Sequence, residues 1–383
     1  MTDDLPPNPA LLPAGLRDLL PPEAATEAAA VEALMEVFAA HGYDRIRPPL
    51  LEFEDSLLAG SGAAVADQTF RLMDPDSQRM MGLRADTTPQ VVRIATTRLA
   101  GAPRPLRLSY AGQCLRVRGS QIAPDRQVPQ AGIELIGRDS PAADAEIVLV
   151  GAEALAAAGL ARPSFDLTLP TLTPALMDDA GIEAAPHAAL ARALDRKDAA
   201  SVARHGGRLA PVLTDLLLAA GPADRALAAL AAAPLPPAAR ALAERLAATV
   251  AAIRARAPAL RLTIDPVEFR GFRYHTGIAV TVYAPGRHEE IGRGGRYLCG
   301  EDPATGLSLY PDALLRAAPP RAPRPRLFVP VGADADTAAR FRGLGYATVA
   351  GLDPAADPAA EARRLLCTHL LRNGEAAKLP SAP

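Results

Sequence analysis

Arg104-Pro-Leu-Arg-Leu-Ser-Tyr-Ala-Gly-Gln-Cys-Leu-Arg116, running on to Gln130-Ala-Gly-Ile-Glu134, is the stretch from which the fold is read. Residues 106–110, 113–118 and 131–136 have the short, β-rich pattern of strands in an antiparallel sheet. Side chains alternate between faces along a strand, so Gln130, Gly132 and Glu134 share one face. Two hydrogen-bonding side chains flanking a glycine make a polar floor with room above it. Arg116, on a nearby strand, would bring a fixed positive charge suited to a carboxylate or phosphate. Asp86 and Thr88 stand just before a helix, where either can simply cap free N–H groups.

Working outward, Pro21-Pro-Glu23 opens a helix with Val31, Leu34, Val37 and Phe38 at helical spacing, stopped by His41-Gly42. Residues 45–52 read as one strand. Residues 70–83 fit a hairpin turning at Asp74-Pro-Asp-Ser77. Thr88-Pro89 starts a helix reaching about residue 100, and 142–160 is another. From about 174 to 257 the chain is Ala/Leu-rich and helical, broken at 234–237. Strands return at 261–264, 277–283 and 289–291, and a helix follows near 311–317. Residues 318–325 form a Pro-rich linker, after which a small β-α-β pattern ends in another helix. The expected class is α+β: a core over 1–320 with a helical insertion at about 174–257, then a small C-terminal α/β segment at 326–383.

The chain has 383 residues, 49% hydrophobic and 22% charged, with a formal net charge of −2. That is enough chain for a large core. A near-neutral balance argues against a general nucleic-acid binder, which carries a basic face or tail. Cys114, Cys299 and Cys367 share no metal-ligand spacing and read as reduced, packed thiols. Neither a leader-like N-terminus nor a run of about 20 apolar residues is seen, so a cytoplasmic location is expected, with no membrane partner. Some features read blandly. Asp195-Arg-Lys-Asp198 is a solvated helix surface. His288, beside Gly286, has no clustered partners for a metal. Gly292–Gly295 lacks the context and lysine of a phosphate loop. No cofactor and no metal are expected.

Three stretches together resemble the catalytic domain of histidyl-tRNA synthetases. They are the one quoted first, Arg270-Gly-Phe-Arg-Tyr-His-Thr-Gly277 with Ile291-Gly-Arg-Gly-Gly-Arg-Tyr297, and Gly306-Leu-Ser-Leu-Tyr-Pro-Asp-Ala313. The resemblance implies the antiparallel sheet of the class II aminoacyl-tRNA synthetases, flanked by helices. Arg84-Ala-Asp-Thr-Thr88 stands where that family has Arg-Pro-Glu-Gly-Thr, so Asp86 and Thr88 correspond to residues that bind the amino group of histidine. Gln130 and Glu134 match the strand residues that contact the amino acid. Arg270 matches the arginine that assists activation, and Tyr274 matches one of the tyrosines enclosing the imidazole. His275 replaces the second tyrosine, with a packed core histidine as its alternative reading. Tyr297 follows a glycine-rich turn, at the pocket border. With Arg116 these make the candidate histidine site, and no catalytic residue is assigned.

The nucleotide side departs from the family. Arg118 stands where an acid helps hold ATP, Ala123-Pro124 replaces a Gly-Arg pair, Tyr310 replaces a glycine, and Ala313 replaces the arginine on the γ-phosphate. Sites of phosphoryl type depend on such preorganised charge. The segment after the linker is also short for an anticodon-binding domain. This combination, with Leu83-Arg-Ala-Asp-Thr-Thr-Pro-Gln-Val-Val-Arg93 and Ala142-Ala-Asp-Ala-Glu-Ile-Val148, is similar to the synthetase-like family of ATP phosphoribosyltransferase regulatory subunits. The likeness implies a non-catalytic subunit needed for the first step of L-histidine biosynthesis. Its partner would be a short-form catalytic subunit that joins ATP to phosphoribosyl pyrophosphate, with histidine as feedback effector. It also implies dimers formed through residues 34–54. The alternatives are an active histidyl-tRNA synthetase-type enzyme and a pure assembly scaffold.

Overall fold

The computed structural model of the chain describes residues 10–119, 123–181, 184–268, 274–319 and 322–380. The chain divides between Pro319 and Pro320 into two compact units. The first is built on a nine-stranded mixed sheet. Its strands lie side by side in the order Asp44–Ile46, Leu106–Leu115, Gln127–Ile136, Asp302–Leu309, Glu290–Cys299, Ala279–Tyr283, Ser164–Thr168, Arg261–Asp265 and Gly221–Pro222. Asp44–Ile46 runs parallel to Leu106–Leu115, and Ser164–Thr168 runs parallel to Arg261–Asp265. The pairs between them are antiparallel.

Alternation along the strands sends two different surfaces to the two faces. Ala131, Ile133, Phe165, Leu167, Val280 and Val282 lie in a large apolar core. That core also takes Leu34 and Phe38 of the helix Glu23–Ala40, Ile147 and Val148 of Pro141–Ala157, and Leu246, Val250 and Ile253 of Pro237–Arg256. Each such side chain contributes about 1.5–3 kcal/mol by leaving water. Between residues 172 and 256 lie the helices Leu172–Asp179, Ala184–Asp195, Ala199–His205, Ala210–Ala219, Ala223–Ala232 and Pro237–Arg256. The opposite face is covered near its centre by the helix Thr88–Thr96, whose Val91 and Ala95 pack with Tyr110, Ile136 and Tyr297. The candidate site lies on this second face.

Several elements differ from the sequence expectation. Residues 45–52 form two strands, Asp44–Ile46 and Leu51–Phe53, in separate sheets. Pro48 and Pro49 have no N–H to continue a ladder, and their carbonyls accept from Arg84 and Gln90 instead. The strands expected at 106–110 and 113–118 are one, because Ala111 and Gly112 stay paired with Ala131 and Gln130. The helix from Thr88 ends at Thr96 rather than near 100. Gly294-Gly295 is not a turn but the interior of the strand Glu290–Cys299, and Asp302–Leu309 is a strand that was not anticipated. A β-carbon on Gly294 would lie 2.0 Å from the Gly306 carbonyl oxygen, so close backbone approach demands the glycine. Asp195–Asp198 is not merely solvated surface. Lys197 Nζ pairs with Asp265 at 2.6 Å, and Asp198 caps the helix Ala199–His205.

The second unit carries a four-stranded sheet ordered Ala347–Ala350, Arg326–Val329, His369–Arg372 and Glu375–Lys378. It ends in a hairpin rather than in the expected helix, which is Pro358–Arg364 and lies before it. The hairpin turns at Asn373-Gly374 with φ of 53° and 78°, the left-handed pair that Asn-Gly supplies. No described helix is long and apolar enough to cross a membrane. Cys114, Cys299 and Cys367 are buried free thiols.

Candidate functional site

Register places the site. Glu134 lies opposite Leu108 on one side and Gly306 on the other, and Gly132 lies between Tyr110 and Ser308. Gln130, Gly132 and Glu134 therefore form a line on the second face, and Tyr297 joins from the strand Glu290–Cys299. Tyr110 and Gly132 are matched in size, since a β-carbon on Gly132 would meet the Tyr110 hydroxyl at 2.5 Å. The match at Gly306 is tighter still, with its hypothetical β-carbon 1.7 Å from Glu134 Oε2. Glycine at 306 is what lets the Glu134 carboxyl lie down across its neighbour.

Glu134 is buried. Its Oε1 accepts from the Thr88 hydroxyl at 3.1 Å and its Oε2 from the Tyr297 hydroxyl at 2.8 Å. Burial pushes its pKa up from 4.5 to about 8, against the lowering effect of those hydroxyls. Gln130 Oε1 accepts from the Thr87 N–H at 2.9 Å and from the Cys114 thiol at 3.2 Å. Its Nε2 donates to Asp86 Oδ1 at 3.0 Å and to Ser308 Oγ at 3.1 Å. Asp86 Oδ1 also accepts the Thr88 N–H at 3.1 Å, so this carboxylate does take one free N–H at the helix start. Tyr110 and Ser308 close the set through their hydroxyls at 2.7 Å.

On the neighbouring side, Tyr274 stacks on His275 with ring centres 4.4 Å apart and meets Tyr297 edge-on at 6.0 Å. Burial, then the Arg293 charge, lowers the pKa of His275 to about 4, so the ring is held neutral. The structure thus brings Asp86, Thr88, Gln130, Glu134, Tyr274, His275 and Tyr297 into one cluster. Arg116 stands apart from Glu134. It lies one residue past the strand end, bridges to Thr69, and its charge acts on Cys114 and Tyr310. Arg270 lies outside the described residues. Ser308, Tyr110 and Thr87 belong to the cluster but were not among the expected residues. Ser308 would have been found by alternation from Gly306, had 302–309 been read as a strand.

Arg84, in the matched Arg-Ala-Asp-Thr-Thr segment, is a strut rather than a contact. It is buried and donates to the carbonyls of Gln113 and Pro48 and to Gln90 Oε1. Ala313 is buried on the helix Pro311–Ala317 and packs into the large core. The position corresponding to the nucleotide arginine therefore points into apolar packing. Chemically, the cluster offers two carboxylates, an amide oxygen and a ring-lined wall. Such a set suits a cationic nitrogen next to a flat heterocycle. Among the described residues no group of His, Cys, Asp and Glu is placed to hold a metal ion.

The family model for histidyl-tRNA synthetase matches residues 15–314. An ATP phosphoribosyltransferase regulatory subunit of Gluconobacter oxydans is 56% identical over 373 residues, covering 97% of this chain and 98% of that protein. One of Paramagnetospirillum magneticum is 57% identical over 365 residues, covering 95% and 96%. Two solved structures share the fold. A Bacillus halodurans protein described as an ATP phosphoribosyltransferase regulatory subunit/histidyl-tRNA synthetase has a TM-score of 0.77 at 23% identity, covering 92% of this chain and 96% of that one. A Nostoc histidyl-tRNA synthetase has a TM-score of 0.76 at 18% identity, covering 94% and 90%. Fold, sheet register and near full-length relatives converge: the chain belongs to the family of ATP phosphoribosyltransferase regulatory subunits, a regulatory and not a catalytic branch of the histidyl-tRNA synthetase fold.

Proposed function

We propose that this chain switches on a short-form ATP phosphoribosyltransferase catalytic subunit in the first step of L-histidine biosynthesis. L-histidine, in this reading, is sensed by the cluster around Glu134. The observation that carries the sensor is Glu134 itself, a buried carboxyl held by Thr88 and Tyr297 beside a neutral His275 and the Tyr274 ring. The names of the relatives support the partner. Self-association as a dimer through residues 34–54 completes the proposal.

Each carboxylate oxygen of Glu134 already accepts a hydroxyl, so an incoming ammonium group takes over those bonds. Opposite charge favours the ionised carboxyl, so histidine binding near neutral pH drives a proton off Glu134. The ligand then shifts the complex between active and inhibited states only by its difference in affinity for the two.

The test is a transferase assay with the catalytic subunit alone, mixed with this chain, and mixed with added histidine. Activity should rise on mixing and fall with histidine. Calorimetry on Glu134→Ala separates sensing from activation. The variant should still activate but lose both histidine affinity and inhibition. If both are unchanged, the sensor lies elsewhere. Activation with no response to histidine in the parent chain would leave the scaffold reading.

A further inference from the structure

The second face of the sheet does not end at the Glu134 cluster. Continuing toward the Arg261–Asp265 strand, it opens into a cavity of ≈ 340 Å³ whose lining includes Arg162, Ser164, Arg261, Tyr283, Arg287 and His288. Ser164 pairs with Arg261 on one side and with Tyr283 on the other, so the floor is a continuous row of the sheet. Three exposed arginines and an exposed histidine are in its lining, and no Asp or Glu is.

The neighbouring acids are engaged elsewhere. Glu289 pairs with Arg316, Glu290 with Arg293, and Asp265 with Lys197, each at 2.6 Å. Asp166 accepts the Thr263 hydroxyl at 2.6 Å. Among the described residues, Arg162, Arg261 and Arg287 form no ion pair. The backbone adds a second observation. Arg162 sits at φ 53°, a left-handed conformation that costs a side-chain-bearing residue energy. Pro285-Gly286 forms the turn that presents Arg287, with Gly286 at φ 69° and the Arg287 N–H donating to the Ala284 carbonyl at 3.2 Å.

We infer that this cavity is a binding site for a small polyanion of the diphosphate class, either free pyrophosphate or the diphosphate of a larger molecule. Guanidinium forks match phosphate oxygens two at a time, and three of them around one concavity suit an anion with more than one charged group. The hydroxyls of Ser164 and Tyr283 supply neutral donors at the floor. The Tyr283 ring with Ala284 and Pro285 makes one apolar wall. The site is separate from the Glu134 cluster and holds whether or not that cluster binds histidine.

The test is isothermal titration of the full chain with sodium pyrophosphate, with orthophosphate and sulfate as comparisons. Pyrophosphate should bind more tightly than either. Arg261→Gln and Arg287→Gln should each weaken it about 10-fold, as expected for losing a charge-assisted hydrogen-bonding group. Arg363→Gln, in the other unit, should leave it unchanged. Arg162→Gly removes a guanidinium while easing the positive φ, so its loss of affinity cannot be charged to misfolding. Circular dichroism on each variant checks the fold. No binding to the parent chain, or affinity equal to the parent's in the Arg162, Arg261 and Arg287 variants, overturns the site. Tighter binding of a single-stranded RNA oligonucleotide, lost in the same variants, overturns the small-molecule assignment.

Discussion

At the scale of single residues, Glu134 sets the behaviour of the site. An unfolded glutamate titrates near 4.5, whereas burial raises Glu134 to about 8 in the fold. Between those values the folded chain holds a proton that the unfolded chain has released. Its contribution to stability is therefore complete below 4.5 and lost as pH rises through 8. Glu134→Gln keeps the shape and removes the titration. The fall in stability between about pH 5 and about pH 8.5 should shrink in that variant, read by urea denaturation at both pH values. An undiminished fall would place the titrating group elsewhere. The same buried carboxyl explains Gly306, since even a methyl group there would enter the space of Glu134 Oε2.

At the scale of elements, the helices are locked to the sheet by a buried ion cluster. Arg296, on the strand Glu290–Cys299, pairs with Asp144 of Pro141–Ala157 at 2.7 Å, and both are buried. Arg245 of Pro237–Arg256 reaches the same Asp144 at 3.2 Å and Asp139 at 2.6 Å. Three elements thus share one carboxylate. Asp144→Ala leaves the buried Arg296 guanidinium with only the exposed Asp139 as a charged partner, at 3.2 Å, and should cost about 3 kcal/mol in chemical denaturation. The double variant with Arg296→Met should lose less than the sum of the two single changes, because the stranded charge is gone. Additive losses would mean that the pair is not coupled.

At the scale of the whole molecule, one face of the sheet packs the large core and the other carries the Glu134 cluster beside a smaller apolar one, and the helix Pro311–Ala317 sits on the side of the large core. Ala313 is buried among apolar side chains there. Ala313→Arg, which restores the synthetase-like residue, forces a charge into that packing and should destabilise the chain by about 3 kcal/mol or more. It should not produce histidine-dependent exchange of pyrophosphate into ATP. Exchange activity in a stable Ala313→Arg variant would show that the nucleotide site is intact apart from one side chain.

Much of this was legible in the chain itself. A period of two puts Gln130, Gly132 and Glu134 on one face whatever surrounds them, because strand geometry leaves no other arrangement. Pro21-Pro-Glu23, Thr88-Pro89 and the helix at 311–317 carry their own local start signals. The stretches 83–93 and 142–148, with the departures at Arg118, Tyr310 and Ala313, likewise carry the resemblance to the regulatory family in the sequence alone. What local pattern could not supply was partnership between distant segments. Glycine-rich 292–295 reads as a turn until Gly306 is seen pressed against Gly294, and Asp302–Leu309 has no edge of its own without those neighbours. Asp144 is only one acid in an Ala-rich helix until Arg296 arrives from the sheet. Nor does any short-range signal gather Arg162, Arg261 and Arg287 around one cavity. Periodicity is a property of successive residues and survives in the sequence. Register, burial and charge pairing join residues far apart in the chain, so only the tertiary structure decided them.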